Sequence, residues 1–380
     1  MENPALCPLT RNPESDTPMD RLPDNIAGRA HAHAHAHALA ATPPAPERPL
    51  RHRSLARAPV AVLPWAIIAG LLWAGLFVKP QPVGSTVQPP VLEQRDHFYG
   101  IALAAPGEVW VVGSNGKILT LGADGRAERF ATPTERTLQD IALWDASHAV
   151  AVGNGGVILF TADAGRTWTA AADVPRSEVA NKLNRVRVDE GGVAVATGEM
   201  GALLMSRDYG RTWTRLREEE DVAWNDVALL GGGRIRVVGE FGRILASDDD
   251  GASWQEAEPP VPSSLMAVAF RGTDVGVAVG LEGVVLVTRD GGREWRKVDI
   301  STHDHLFDIA WDATGGRWIG TGALGRWVRA EADATNWTTA RLDDRDLSWH
   351  TRVVPAGEFA WFAGANVGRW DGTRWMPLGN

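Results

Sequence analysis

Between residues 96 and 380 the chain is a succession of short apolar runs rich in Val, Ile and Ala, broken by glycines and polar turns. Runs this brief with β-branched residues predict strands rather than helices. One spacing organises them. Gly-x-x-Gly occurs at Gly113/Gly116, Gly153/Gly156, Gly198/Gly201, Gly239/Gly242, Gly280/Gly283 and Gly322/Gly325, and a degenerate seventh copy starts at Gly364. A β-prone run precedes each copy (VWVVG, AVAVG, VAVATG, IRVVG, VAVG, RWIGTG, AWFAG), and an apolar strand such as KILTL, VILF or RILA follows each of the first five. Another strand lies further upstream, as in DIALW, DVALL and DIAWD.

A second marker keeps the same interval. TADAGRTW, SRDYGRTW, SDDDGASW and TRDGGREW end at Trp168, Trp213, Trp254 and Trp295, with the form [S/T]-x-D-x-G-x-x-W. In such a hairpin turn the aspartate accepts N–H bonds, the glycine supplies a positive φ, the hydroxyl ties the turn closed and the tryptophan plugs it. Asp163, Asp208, Asp249 and Asp290 with these tryptophans are therefore expected to be structural. Four strands per repeat of about 42 residues match a propeller blade. The fold expected is all-β, a seven-bladed β-propeller with Asp-box turns. The boxes of blades one, six and seven are eroded, their turns ending near Phe130, Trp337 and Trp375. Residues 85–96 are one candidate for the outer strand of the last blade.

The pattern upstream is different. Residues 58–78, APVAVLPWAIIAGLLWAGLFV, carry no charge, and at 1.5 Å per residue they span about 30 Å of hydrocarbon. Trp65, Trp73 and Pro64 suit a membrane helix. No small-residue cleavage site follows before Lys79-Pro80, so the segment reads as an uncleaved signal-anchor. Arg48, Arg51, Arg53 and Arg57 precede it and Lys79 alone follows closely, which places the N-terminus in the cytoplasm and the propeller on the periplasmic or extracytoplasmic side. Residues 79–95 form a Pro-rich spacer. Residues 1–57, rich in Pro, Ala, Arg and His, are expected to be a disordered tail whose His31 to His37 His-Ala repeat is a low-complexity tract.

Composition refines this picture. Seventeen Trp against two Tyr, with 41 Gly, fit a repeated plug and many tight turns. A net charge of −9 without a basic cluster excludes nucleic acid as a partner. The single cysteine, Cys7, allows no intrachain disulfide.

The Asp box with Gly-x-x-Gly at this period resembles the photosystem II stability/assembly factor family and its bacterial relatives, over about residues 96–380. That resemblance implies a non-enzymatic assembly factor that binds a membrane protein or its precursor. The photosynthetic members sit on the lumenal side, equivalent to the side inferred here. The His-Ala tail and uncleaved anchor depart from the family, so the partner expected is another membrane or envelope complex. The alternative is a carbohydrate-active propeller, since sialidases and some glucanases share Asp boxes. Against it, Tyr209 lies inside an Asp box, Tyr99 enters the first blade, no Phe-Arg-Ile-Pro segment occurs, and sialidases have six blades. No catalytic residue, cofactor or metal is expected.

Candidate partner-binding residues come from comparing blades. Within Gly-x-x-Gly, blades three to five carry Glu199, Glu240 and Glu282. Just after it, blades six, seven and one carry Arg326, Arg369 and Lys117, with Arg243 in blade four. This predicts an acidic sector opposite a basic one. Asp140, Asp226 and Asp308 recur at the start of the first strand of blades two, four and six and are expected to line the channel. His303 and His305 read as solvent-exposed loop residues beside Asp308.

Overall fold

The computed structural model describes residues 58–77, 91–93 and 95–378. The tail 1–57 with its His-Ala repeat and Cys7 lies outside the described residues, as does most of the spacer. A helix, α1, covers Ala58–Phe77 with Pro64 inside it. Its side chains are described over 62–77, and among the described residues no helix is long and apolar enough to cross a membrane.

Ser85–Asn380 forms a separate compact unit. It contains seven four-stranded antiparallel sheets, each made of four consecutive strands. Their first, innermost strands are Phe98–Ala105, Leu138–Leu143, Leu183–Asp189, Trp224–Leu229, Leu265–Arg271, Leu306–Asp312 and His350–Ala356. This is the seven-bladed propeller. The core is divided into seven clusters, each filling the wedge between two adjacent blades. A second strand such as Ala149–Gly153 or Ile235–Gly239 is buried along its whole length. Neighbouring blades cover both of its faces, which is why these runs are uniformly apolar instead of alternating.

Closure does not exchange a strand. Blade seven is completed by its own last strand, Trp375–Pro377, and the described residues 91–93 and 95–96 contribute no strand to it. Phe98, Ile101 and Val109 instead pack directly on Trp361, Ala363 and Val367, and Val91, Leu92 and Leu378 cover that seam.

Asp-box geometry follows the sequence reading. In the first box Thr161 Oγ1 donates to Asp163 Oδ1 at 2.8 Å, and the Gly165 N–H donates to Thr161 Oγ1 at 3.1 Å. Thr167 donates its N–H to Asp163 Oδ1 and its hydroxyl to Oδ2. Asp208, Asp249 and Asp290 accept equivalent bonds. Trp213, Trp254 and Trp295 each donate Nε1 to the carbonyl of the box glycine. In blades six and seven the box aspartate is replaced by Ala332 and Trp370, and the next residue, Asp333 or Asp371, accepts the hydroxyl of Thr335 or Thr373 instead.

The Gly-x-x-Gly loops have an equally specific cause. A Cβ on Gly113 would stand 1.9 Å from the His97 carbonyl oxygen, and one on Gly322 1.9 Å from that of His305. The same crowding recurs in all seven blades. That carbonyl accepts the N–H of the residue after the glycine, as from Ser114 and Ala323. The loop thus grips the start of its own innermost strand. Blade seven is shorter here: Asn366 takes the place of Lys117 in accepting the glycine N–H, because Ala363 pairs with Val367 directly.

Bonds from Thr167 and Thr161 hold the Asp163 carboxyl down at about 2. Because folding lowers this pKa, its contribution to stability is complete above the unfolded-chain value near 3.9 and is lost as pH falls toward about 2. A carbon-detected titration should show Asp163 half-protonated near pH 2, and Thr167→Val should move that midpoint toward the unfolded value.

Candidate binding site at the propeller axis

Every innermost strand carries the same irregularity. Pairing with the second strand skips one residue between the first and third positions, as from Phe98 to Gly100 and from Leu306 to Asp308. A bulge re-aims the residue it displaces. The seven displaced residues are Tyr99, Gln139, Asn184, Asn225, Met266, Phe307 and Thr351, and all seven line one cavity of about 370 Å³ at the axis. Lys182, Glu199, Ala223 and Glu240 form its rim, with Arg352 also in its wall. The loops gripping the strand starts therefore build the site: they pin the first residue, and the bulge turns the second toward the axis.

The third position supplies a floor. Around the ring it reads Gly100, Asp140, Arg185, Asp226, Ala267, Asp308 and Arg352. Arg185, wholly buried, crosses the axis with Nε 3.0 Å from Asp226 Oδ1 and Nη2 3.0 Å from Asp308 Oδ1. Arg352 Nε donates to Asp140 Oδ1 at 3.1 Å, and Arg187 bridges Asp140 and Asp226 at 3.3 Å. Each aspartate also accepts a backbone N–H from the following blade: Val186 to Asp140, Val268 to Asp226 and Val353 to Asp308. Three carboxylates thus meet three guanidiniums. Burial would raise the Asp140 carboxyl, but Arg352, Arg185, Arg187 and the Val186 N–H bring it below the usual range. Burial works against the Arg185 charge too, and the carboxylates of Asp226, Asp308 and Asp140 overcome it. Asp140, Asp226 and Asp308 lie in this layer, paired with arginines. It closes the axis, and the cavity is a cup rather than a pore.

The predicted charge sectors fare differently. Glu199 and Glu240 line the cup, each accepting a backbone N–H from the neighbouring strand start, Lys182 and Ala223 respectively. Glu282 sits one position later in its loop, at φ 59°, exposed, and accepts the Ser263 hydroxyl outside the cup. The basic sector does not assemble. Lys117 is 2% exposed and paired with Glu93 at 3.0 Å and with Asp96. It straps the incoming chain to blade one, on the face that bears the cup. Arg326 is tied to Asp304 at 2.6 Å, and Arg243 to Glu220 and Glu256. Arg369, displaced by the shorter loop of blade seven, lies further along its strand and donates to the Ala123 carbonyl in the turn region of blade one. His305 Nδ1 accepts the Glu282 N–H, and Asp308 belongs to the floor, so the two are not brought together. Among the described residues no group of His, Cys, Asp and Glu is placed to hold a metal.

What the sequence reading missed are the cup residues themselves and the three arginines. The alternation of Asp and Arg at the third position was available as a signal, but the aspartates alone stood out beside the repeated Ile/Val-Ala.

Fold and cup together define an Asp-box propeller with a ligand-sized axial opening on its Gly-x-x-Gly face. The family described as Photosynthesis system II assembly factor YCF48 matches residues 123–259, and the resemblance to that family is shown. No curated protein sequence matches the chain. Among solved structures, YCF48 bound to D1 peptide superposes with a TM-score of 0.60 at 14% identity, covering 72% of this chain and 92% of that one. YCF48 from Cyanidioschyzon merolae does so at 0.58 and 15%, covering 72% and 94%. The GH74 xyloglucanase from Xanthomonas campestris gives 0.59 at 16%, covering 73% of this chain and 52% of that one. At such identities these likenesses speak to the fold alone.

Removing Arg185 leaves the buried Asp308 carboxylate without a guanidinium and Asp226 with Arg187 alone, and breaking a buried pair in this way costs about 3–5 kcal/mol. Urea unfolding of Arg185→Met should register a loss of that size, and adding Asp226→Asn with Asp308→Asn should recover part of it.

Proposed function

We propose that this chain is a non-enzymatic, membrane-anchored propeller that binds a polypeptide of a membrane or envelope complex and assists its assembly. The axial cup carries this reading. It is concave, floored, lined by side chains from all seven blades and half apolar, the character of a recognition site. That a YCF48 structure holds a D1 peptide supports a polypeptide as the ligand. The uncharged segment 58–78 is proposed as the anchor, with the N-terminus cytoplasmic and the propeller on the periplasmic or extracytoplasmic side. Arg48, Arg51, Arg53 and Arg57 ahead of it, against Lys79 alone just behind it, support that orientation.

A glycosidase would need two carboxylates flanking the scissile bond. Glu199 and Glu240 are the acids in the cup, and each spends an oxygen on a backbone N–H of its own scaffold.

Affinity purification of the full chain from its own membranes tests the proposal. Asn184→Trp with Met266→Trp fills the cup without touching the floor. The partner set should fall at least fivefold in this variant at unchanged thermal stability. An undiminished set would overturn the assignment of function to the cup.

A further inference from the structure

The two halves of the cup differ in chemistry. Blades two to four contribute Gln139, Asn184 and Asn225, with Glu199 and Glu240 above them; blades five, six and one contribute Met266, Phe307 and Tyr99. In the polar half each amide already gives one N–H or both to the protein. Gln139 Nε2 donates to Asn154 Oδ1 at 3.0 Å, Asn225 Nδ2 to the Leu265 carbonyl at 2.8 Å and Asn184 Nδ2 to the Trp224 carbonyl at 3.5 Å. Three amide oxygens stand as acceptors of that arc, beside one remaining N–H each on Gln139 and Asn184. Glu199 and Glu240 add charge to it, since each uses one carboxylate oxygen on a backbone N–H and has a second. Against these two carboxylates the lining sets Lys182, while the charge of Arg352 is spent on Asp140. With the two carboxylates the arc carries more acceptors than donors and a negative charge, so it suits an ammonium or a guanidinium.

The other half suits carbon. Tyr99 is stacked on Trp349 with centroids 5.7 Å apart, and Met266 and Phe307 complete an apolar wall. Apolar surface also stands in the loops around the cup, on both sides of it. Val179, Phe241, Leu324 and Leu347 are four exposed large hydrophobic residues in the loops of this face. Phe241 is 65% exposed and held at φ 56°, where a bulky side chain is strained. Asn115, Met200, Glu282 and Leu324 hold the same left-handed position in their loops, so the conformation belongs to the scaffold, and what Phe241 adds is exposed apolar surface next to Glu240.

Resting on the reading of the cup as a polypeptide site, we propose that its ligand is a segment combining a basic residue with an adjacent apolar one. Lysine, arginine or a free α-amino group lies on the Glu199/Glu240 arc, and the apolar side chain lies on Met266, Phe307 and Tyr99 with Phe241 at the rim.

Fluorescence anisotropy with the full chain in detergent decides it, using labelled hexapeptides of alternating Arg and Leu, Glu and Leu, or Arg and Ser. The Arg/Leu peptide should bind at least tenfold tighter than either other, and more weakly as salt rises. Glu199→Gln with Glu240→Gln keeps an acceptor for each backbone N–H, preserves the fold and should weaken Arg/Leu binding at least tenfold. Phe307→Ser should weaken it comparably. Phe241→Gly should weaken it several-fold while thermal stability holds or rises, because glycine relieves the strain. Tighter or equal binding of the Glu/Leu peptide, or indifference to the double Gln variant, overturns the proposed ligand chemistry while leaving a peptide site in place. Binding of none of the three overturns both this inference and the polypeptide reading of the cup.

Discussion

The charged floor at the axis is the constraint on which the rest depends. Seven wedge-shaped blades converge there, and the third residue of each innermost strand has no room to be elsewhere: a Cβ on Gly100 would already stand 2.6 Å from the Asp140 Cα. Burying charges at such a point is costly unless they are paired and hydrogen-bonded. Asp140, Asp226 and Asp308 meet both conditions, with arginine on one side and the N–H of the next blade on the other. These bonds join blades two to three, four to five and six to seven. Arg185 and Arg352 add links across the axis.

Two features described separately follow from this arrangement. Because the floor is charge-balanced and closed, the space above it is a cup, and its chemistry is set by the bulged residues rather than by the Asp/Arg layer. And because the ring is tied at its centre and packed in seven apolar wedges, it closes without exchanging a strand, by direct contact of Phe98 and Ile101 with Trp361 and Ala363. The strap formed by Lys117, Asp96 and Glu93 then fastens the incoming chain to blade one.

The two repeated motifs divide the labour between opposite ends of the blades. Asp boxes are self-contained turns whose bonds stay within a few residues, and in the copies of blades six and seven, which lack the box aspartate, Asp333 and Asp371 one position on accept from Thr335 and Thr373. Gly-x-x-Gly loops act at longer range. Their first glycine permits the backbone approach that pins the innermost strand, and the bulge created beside it turns one residue per blade into the cup. Function is therefore proposed for the end governed by the loops, where the bonded positions are constant and the displaced side chain varies freely.

What the sequence determined by itself was whatever repeats locally. Blade number, the strand order within a blade and the Asp-box bonds rest on contacts within one repeat of about 42 residues, so periodicity and turn chemistry were enough. Asp140, Asp226 and Asp308 stood out by their shared place in the repeat, and the arginines that pair with them did not. Tertiary structure alone decided which charges are free. Lys117, Arg326 and Arg243 look like solvated loop cations in a row of aligned repeats, yet each is claimed by an acid from another loop or strand, and Arg369 is moved by a shortened turn. Pairing of that kind depends on distance in space between segments far apart in the chain, which no repeat alignment encodes. The cup was hidden for the same reason: its seven residues share a position but no chemistry, and only the closed ring brings them together.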